Sequence, residues 1–433
     1  MDVRYTYRLR PGSTARRYLA REWGMSRWLW NRLVAESEER FFWNGVALAN
    51  GAPKDSLPTF GFAAQDKWLT HLRAVTRDPD SGERWLAAGS QNAQSQTVRA
   101  FAAARTQAIK DRADKSLSPL QRRGMPRFKS KHMSLATLSY NRNGFSIAAH
   151  PDTGRPALVL PGKVHVPVVW SRELPAAPSS VRVYQDSLGH WYASFVVTID
   201  VDDTRLPTNG HDRAIGVDWG ITETATTATI DTVTGAVDTS ATYDLPHAQH
   251  GKKAAANLAR YQRMMARRRT PKRHPNTKGY EHAKKQAAKA AKKVARQRRD
   301  DARKWAKRVV TDHDQIAVED FKPKFLIKTT MARKAADAAI GATKIELVWQ
   351  ATKHGRDLRL VHPAHTTTDC FHCRARTKHR LPLGERTYTC ETCGTTRPRD
   401  KNSALVMTHR AGFVPADVDG VRPVPATTRA PAA

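Results

Sequence analysis

The chain has 433 residues, 40% of them hydrophobic, with 73 Lys and Arg against 40 Asp and Glu and a formal net charge of +33. That length gives two or three domains with cores of their own and excludes a wholly disordered protein. A charge this far from neutral exceeds what solubility requires and points to an extended polyanion, nucleic acid above all. The rival, an anionic membrane surface, lacks support, because no run of about 18 apolar residues and no lipid-anchor motif occurs, and the opening MDVRYTYRLRPGST has no secretory apolar stretch. A soluble, intracellular protein is expected.

Residues 2–9 (DVRYTYRL) alternate as a strand does, and Pro11, Gly12, Ser13 and Thr14 then punctuate the chain and cap a helix. To about residue 115 the spacing is helical, with Leu29, Leu33 and Val34 on one face and Trp23, Trp28, Trp30, Trp43, Trp68 and Trp85 scattered through it. Those tryptophans are expected mainly in helix packing, with base stacking as the alternative. The basic, Gly/Pro-broken QRRGMPRFKSKH predicts a loop, either solvated or in contact with phosphate. Short apolar runs between about 120 and 205 (FSIAA, ALVLP, KVHVPVV, VRVYQD, HWYASFVVTI) predict a small β-barrel.

From 211 onward come strands AIGVDW and ETATTATID, a turn at Thr234-Gly235, strand VDTSATYDL, a long helical region 251–311, and strand QIAVED. A helix around 332–355, strand LRLVHP, a cysteine-rich insert and a last helix from about 400 follow. Three strands, helix, strand, helix, strand, helix is the element order of an RNase H-like sheet. Residues 251–310 carry 22 Lys/Arg against three Asp/Glu, an imbalance that repels itself unless an anion lies against it. After 413 a Pro/Ala-rich tail without helical period is expected to be disordered.

All four cysteines fall within 24 residues, as Cys370-Phe-His-Cys373 and Cys390-Glu-Thr-Cys393. Two C-x2-C knuckles supply the tetrahedral sulfur cage that structural Zn²⁺ prefers, with no open position for chemistry. His365, His372 and His379 lie nearby, and a surface or phosphate-contacting role suits them better than metal ligation. Three acids suggest a different metal chemistry. Asp218 interrupts the apolar strand AIGVDWG, and Glu319 ends QIAVED, with Asp320 as its competitor. Two acids at the ends of core strands call for cations, and phosphodiester hydrolysis by two metal ions needs such carboxylates. Asp400, in RPRDKNSALVM, reads from chemistry alone as a helix cap as readily as a ligand.

Together these motifs resemble the TnpB family, transposon-encoded RNA-guided nucleases related to type V CRISPR effectors. GVDWG resembles the first RuvC motif, IAVED the second, and C-x2-C…C-x2-C-G…RDKNSA the zinc ribbon leading into the third; YRLRPG…WNRLV and GMPRFKSK resemble the family's opening and pre-barrel motifs. The resemblance covers nearly the whole chain except the tail. It implies a multidomain α+β chain: an N-terminal helical recognition lobe with a β-barrel wedge domain, then an RNase H-like (RuvC) α/β nuclease domain with an inserted zinc ribbon. The implied boundaries are 1–10 for the first wedge strand, 11–120 recognition, 121–208 wedge, 209–365 RuvC with its basic helical region 251–311, 366–398 zinc ribbon, 399–412 last RuvC segment and 413–433 tail.

The resemblance also implies a metal-dependent endodeoxyribonuclease of RuvC type in the cytoplasm, associated with the nucleoid. Asp218, Glu319 and Asp400 would bind two catalytic Mg²⁺, for which Mn²⁺ can substitute, and Cys370, Cys373, Cys390 and Cys393 one structural Zn²⁺. The implied partners are a guide RNA from the transposon end and double-stranded DNA bearing a short target-adjacent motif, with no membrane and no small-molecule substrate. Three positions depart from the family pattern: Trp219 for a smaller aliphatic residue, Arg374 for a glycine and Ser403 for an alanine. The alternatives are a guided repressor that does not cut, usually marked by loss of a triad acid, and a compact type V effector with a guide from a repeat array. A self-sufficient transposase finds neither an HUH-tyrosine site nor D-D-E spacing here.

Overall fold

The computed structural model describes residues 1–414 apart from 120–121, 132–134, 209–211, 272–273, 322, 324–325, 327–328, 378–380 and 383. The chain divides into two units, Met1–Ile199 and Asp200–Ala433.

In the first unit, strand β1 (Asp2–Leu9) buries Val3, Tyr7 and Leu9 by simple alternation and runs into the 37-residue helix α1 (Ser13–Ala49). Helices α2 (Phe62–Val75) and α3 (Gln91–Ala113) follow; the Ser90 hydroxyl caps α3 by accepting from the Ala93 N–H at 3.2 Å. Leu29, Leu33, Leu69, Leu86 and Phe101 form the helical core, against which Trp28, Trp30, Trp68 and Trp85 pack, while Trp23 packs against the sheet core. Trp43 departs from the packing expectation and is 59% exposed.

Strands β2 (Thr137–Asn141), β3 (Ser146–Ala149), β4 (Pro156–Leu160), β5 (Val164–Val169), β6 (Ser180–Gln185) and β7 (Trp191–Thr198) join β1 in one antiparallel sheet, in the order β2-β6-β7-β1-β5-β4-β3. The expected closed barrel is not formed: among the described residues the end strands β2 and β3 share no ladder. Helix α3 packs on β2, and β3 is only four residues long with no buried position, so β3 has no apolar face with which to close the sheet.

In the second unit, β8 (Arg213–Trp219) is the central strand, antiparallel to β9 (Glu223–Asp231) and parallel to β12 (Gln315–Glu319), which is parallel to β13 (Asp357–Val361). Two short strands, β10 (Val237–Asp238) and β11 (Leu245–Pro246), pair with β9. The continuous strand expected over VDTSATYDL is therefore broken. Asp244 sits in the break, accepting from the Thr227 N–H at 2.7 Å and from Lys401 Nζ at 2.8 Å.

The basic region forms two helices packed on each other, α4 (His250–Arg267) and α5 (Lys278–Asp312), and α5 buries Trp305, Ala306, Val309 and Val310 against the sheet. The single helix expected around 332–355 is likewise two, α6 (Ala332–Ala338) and α7 (Ile340–Lys353), because Ala339 adopts a left-handed backbone with φ of 53°. Asp337 at the end of α6 accepts from the Gly251 and Lys252 N–H groups, which open α4, and from Arg298 of α5.

A two-stranded ladder of β14 (Thr387–Thr389) and β15 (Thr396–Pro398) leads into α8 (Arg399–Arg410). Helix α8 lies so close to β8 that a Cβ at Gly216 would fall 1.8 Å from the Ala404 carbonyl oxygen, so glycine is required there. Among the described residues no helix is long and apolar enough to cross a membrane. The expected disordered tail from 415 lies outside the described residues.

Candidate active site and metal centre

Strands β8 and β12 run parallel in register Val217↔Val318, which sets the next residues, Asp218 and Glu319, side by side at the carboxyl ends of both strands. Their side chains share a hydrogen bond, and burial first, then the charges of Glu319 and Asp400, hold Asp218 well above the usual carboxylate range. Burial likewise pushes Glu319 up to about 7, opposed by the Trp219 N–H. A hydrogen bond between two acids needs one proton, so the pair titrates together. Trp219, one of the departures from the family pattern, supports Glu319: its indole Nε1–H donates to the Glu319 carbonyl at 3.1 Å, and its ring meets Trp305 edge-on at 5.9 Å. Asp320 instead pairs with Lys344 at 2.5 Å and has a side chain 38% exposed, so the sheet brings Glu319 and not Asp320 to Asp218.

Asp400 comes from the first turn of α8, and its charge bears on Asp218. It makes no capping bond; its carboxylate accepts from Arg386 Nη1 and Arg399 Nε, each at 3.3 Å. A buried acid, Glu319, beside the half-buried Asp218 and within reach of the charge of Asp400 is a donor set that suits divalent cations.

Two residues that sequence reasoning passed over hold this arrangement. The buried Lys401 Nζ donates to Thr227 O, Ser240 O and both Asp244 oxygens at 2.7–2.9 Å, pinning α8 to β9 and the broken strand. Asn402 accepts from the Phe371 N–H at 3.2 Å and donates to the Asp369 carbonyl at 2.8 Å, tying α8 to the first cysteine knuckle. The only signal for them was adjacency to Asp400 in RDKNSA; nothing in the sequence marks Asp244 as the partner of Lys401. Ser403, the third departure, is buried and donates to the Arg399 carbonyl at 3.1 Å.

Cys370, Cys373, Cys390 and Cys393 bring all four Sγ atoms within 4.8 Å of one another, with 3.8 Å for Cys370–Cys393 and 3.5 Å for Cys373–Cys390. A tetrahedron with Zn–S bonds of ~2.3 Å has edges of ~3.8 Å, so the thiols fit zinc. Among the described residues this is the only group of three or more His, Cys, Asp or Glu side chains already converged on one ion-sized point. The knuckles repeat one backbone turn: the Arg374 N–H donates to Cys370 O and the Gly394 N–H to Cys390 O, with φ of 64° and 70°. Arg374 thus occupies a left-handed position that glycine favours. Hydrogen bonds from the hydroxyl and N–H of Thr395 draw the Cys393 thiol down to about 6, whereas burial pushes that of Cys373 up to about 12. His365 and His372 are exposed and outside the thiol cluster, and His379 lies outside the described residues.

The first unit offers a different surface. An open groove is lined by Gln91, Asn92, Ser95, Gln96, Arg99 and Asn141, with no carboxylate among them. In the pre-barrel motif, Lys129 is fixed and not extended into solvent: its ammonium lies 3.4 Å from the Trp30 ring centroid, its backbone bonds both ways with Asn31, and burial lowers its pKa to about 8.

Comparison with known proteins places these features. Three sequence models match in order: one described as a helix-turn-helix domain of OrfB_IS605 over residues 1–44, OrfB_IS605 itself, "Probable transposase", over 194–328, and a Cas12f1-like TNB domain over 344–407. Over these three successive segments the chain is similar to IS605 OrfB proteins and to a Cas12f1-like TNB domain. In this chain the segment matched as helix-turn-helix is one strand followed by one unbroken helix. A curated Streptomyces pristinaespiralis protein, "Putative RNA-guided DNA endonuclease", is 29% identical over 306 residues, 69% of this chain and 68% of that protein. Among solved structures, a Cas12f1–sgRNA–target DNA complex aligns at 10% identity and a TM-score of 0.48 over 94% of this chain and 98% of that one. A CRISPR-Cas12f ternary complex aligns at 12% identity and 0.33 over 90% and 80%.

Proposed function

We propose that this chain is a transposon-encoded RNA-guided DNA endonuclease of RuvC type, in which Asp218, Glu319 and Asp400 hold two Mg²⁺ ions. The observation that carries the reading is the Asp218–Glu319 pair, set side by side at the carboxyl ends of adjacent parallel strands, with Asp400 on the helix packed against β8. The 3-2-1-4-5 order of the main strands (β10, β9, β8, β12, β13) is that of an RNase H-like sheet and supports the same reading, as does the name of the Streptomyces relative.

When bound, the metal ions would supply an activated water and charge neutralisation at the leaving oxygen. The chain's own residues prepare for that. Asp218 and Glu319, whose pKa values are raised without metal, would release a proton to solvent and so become ligands. The Trp219 indole fixes the backbone of Glu319, and Lys401 with Asn402 hold the helix from which Asp400 projects. The four cysteines would form a zinc ribbon that holds structure only.

The proposed parts follow the expected boundaries: wedge strands at 1–10 and 121–208, recognition helices over 11–120, RuvC segments at 209–365 and 399–412, and the ribbon at 366–398. Guide RNA and target duplex would lie against Lys and Arg of α4 and α5. The Gln91–Asn141 groove, lined by amide, hydroxyl and guanidinium groups, would meet base edges of a target-adjacent motif. A cytoplasmic, nucleoid-associated location is consistent with these partners.

The test is to express the chain with flanking transposon DNA, sequence the RNA that copurifies, and assay Mg²⁺-dependent cleavage of a plasmid library matched to that RNA. Cuts beside one enriched short motif, absent in Asp218→Ala, are expected. Guided binding without cuts would contradict the nuclease reading, and absence of bound RNA would contradict guidance.

A further inference from the structure

We propose that Arg386 is a placeholder for a catalytic cation: it neutralises Asp400 while the site is without metal and gives the carboxylate up when a divalent ion binds. The inference rests on the metal-binding role proposed for the three acids.

The position of Arg386 is set by backbone and not by its side chain alone. The ladder pairs Thr387 with Pro398, and the Arg399 N–H donates to the Arg386 carbonyl at 2.8 Å, so Arg386 stands beside the turn that carries Asp400. Buried Tyr388, the next residue but one, packs with Cys370 and Cys390 and fixes that ladder to the cysteine cluster. The two arginines on Asp400 differ in kind. Arg399 has a side chain 9% exposed and is anchored a second time, by Nη1 donating to the Pro382 carbonyl at 3.1 Å. Arg386 has a side chain 57% exposed and reaches Asp400 Oδ2 with Nη1 at 3.3 Å.

An exposed ion pair of this length is weak, and a divalent ion interacts with the same carboxylate at twice the charge. The arginine nevertheless matters to the metal-free protein. Asp400 adds its repulsion to Asp218, which stands beside the buried Glu319, and a cation on Asp400 relieves it. Metal binding must displace that cation, which leaves a guanidinium at the edge of the loaded site.

The experiment measures Mn²⁺ affinity of the purified, zinc-replete full chain without nucleic acid, by the electron paramagnetic resonance signal of free Mn²⁺. Arg386→Ala is expected to bind Mn²⁺ about three- to tenfold more tightly than the wild type, as loss of a competing charge at contact distance predicts. Arg386→Lys should stay near the wild-type value, and the effect of Arg386→Ala should vanish in an Asp400→Asn background. Unchanged or weaker affinity in Arg386→Ala, with zinc content and melting temperature retained, would overturn the inference. Asp218→Asn separates it from the underlying reading. If that variant loses Mn²⁺ affinity while Arg386→Ala changes nothing, only the placeholder role fails; if Asp218→Asn binds as the wild type does, the carboxylate site fails and the placeholder with it.

Discussion

The N-terminal unit buries Glu22 to 1% exposure and the C-terminal unit buries Glu319 to 7%, yet the surroundings of the two acids differ in one decisive respect. Both Glu22 oxygens accept from the Ser90 N–H, at 3.1 and 3.2 Å, and the charges of Arg21 and Arg73 offset the burial that raises its pKa. Glu319 meets another acid, and the largest charges acting on that partner, Asp218, are Glu319 and Asp400. Asp244 with Lys401 and Asp337 with Arg298 follow the Glu22 pattern. A buried acid supplied with donors is scaffold; one set against its own kind is maintained at a loss of stability, which is the signature of a site.

That contrast can be broken most sharply by neutralising each acid. Asp218→Asn should lower Mg²⁺-dependent cleavage by about a thousandfold or more, since it removes one of the proposed metal ligands, and should raise the melting temperature. Glu22→Ala should do the opposite, destabilising the N-terminal unit by about 1–3 kcal/mol through the orphaned Ser90 N–H and Arg73 while leaving cleavage intact below the melting transition. A fall in melting temperature for both variants in calorimetry would put the two acids in one class.

Removing zinc is the next largest effect. Chelation should unfold the segment around the thiols and loosen α8, because Asn402 ties that helix to the first knuckle. Hydrogen exchange over 366–410 would rise together with zinc release, whereas Met1–Ile199 would keep its protection. A chelated chain with unchanged exchange would rule out a structural metal.

A smaller effect separates the units by pH. Because the folded Asp218–Glu319 pair keeps its proton above the ordinary carboxylate range, to about 7 for Glu319, the native chain binds more protons than the unfolded one between about pH 4 and 7. This contribution to stability is complete below about pH 4 and lost as pH rises through 7. In magnesium-free buffer the C-terminal unit should therefore melt a few degrees lower at about pH 8 than at about pH 5, and Asp218→Asn should flatten the slope. A slope that survives the substitution would belong to other groups.

Smallest of all, Arg374→Gly should stabilise the first knuckle by about 1 kcal/mol by relieving the left-handed backbone, unless the guanidinium over the Phe371 ring at 5.0 Å offsets the gain. Denaturant unfolding would show a midpoint raised or, in the second case, unmoved.

By itself the sequence determined the β-α-β character of the chain, the four-thiol spacing and the acids that end core strands, because strand alternation, knuckle spacing and an acid inside an apolar run are local patterns. Only tertiary structure decided the rest. The open sheet in place of a barrel depends on where α3 packs; the break in the third strand depends on Asp244 finding Lys401, 157 positions away; and the kink at Ala339 lies where two helices must each meet the sheet. The choice of Glu319 over Asp320 is of the same kind. Both are acids in one short run, and only the parallel register with β8 turns one inward to Asp218 and the other out to Lys344. Pairings between distant segments leave no local trace, since each partner alone is an ordinary polar residue until the fold takes both from water.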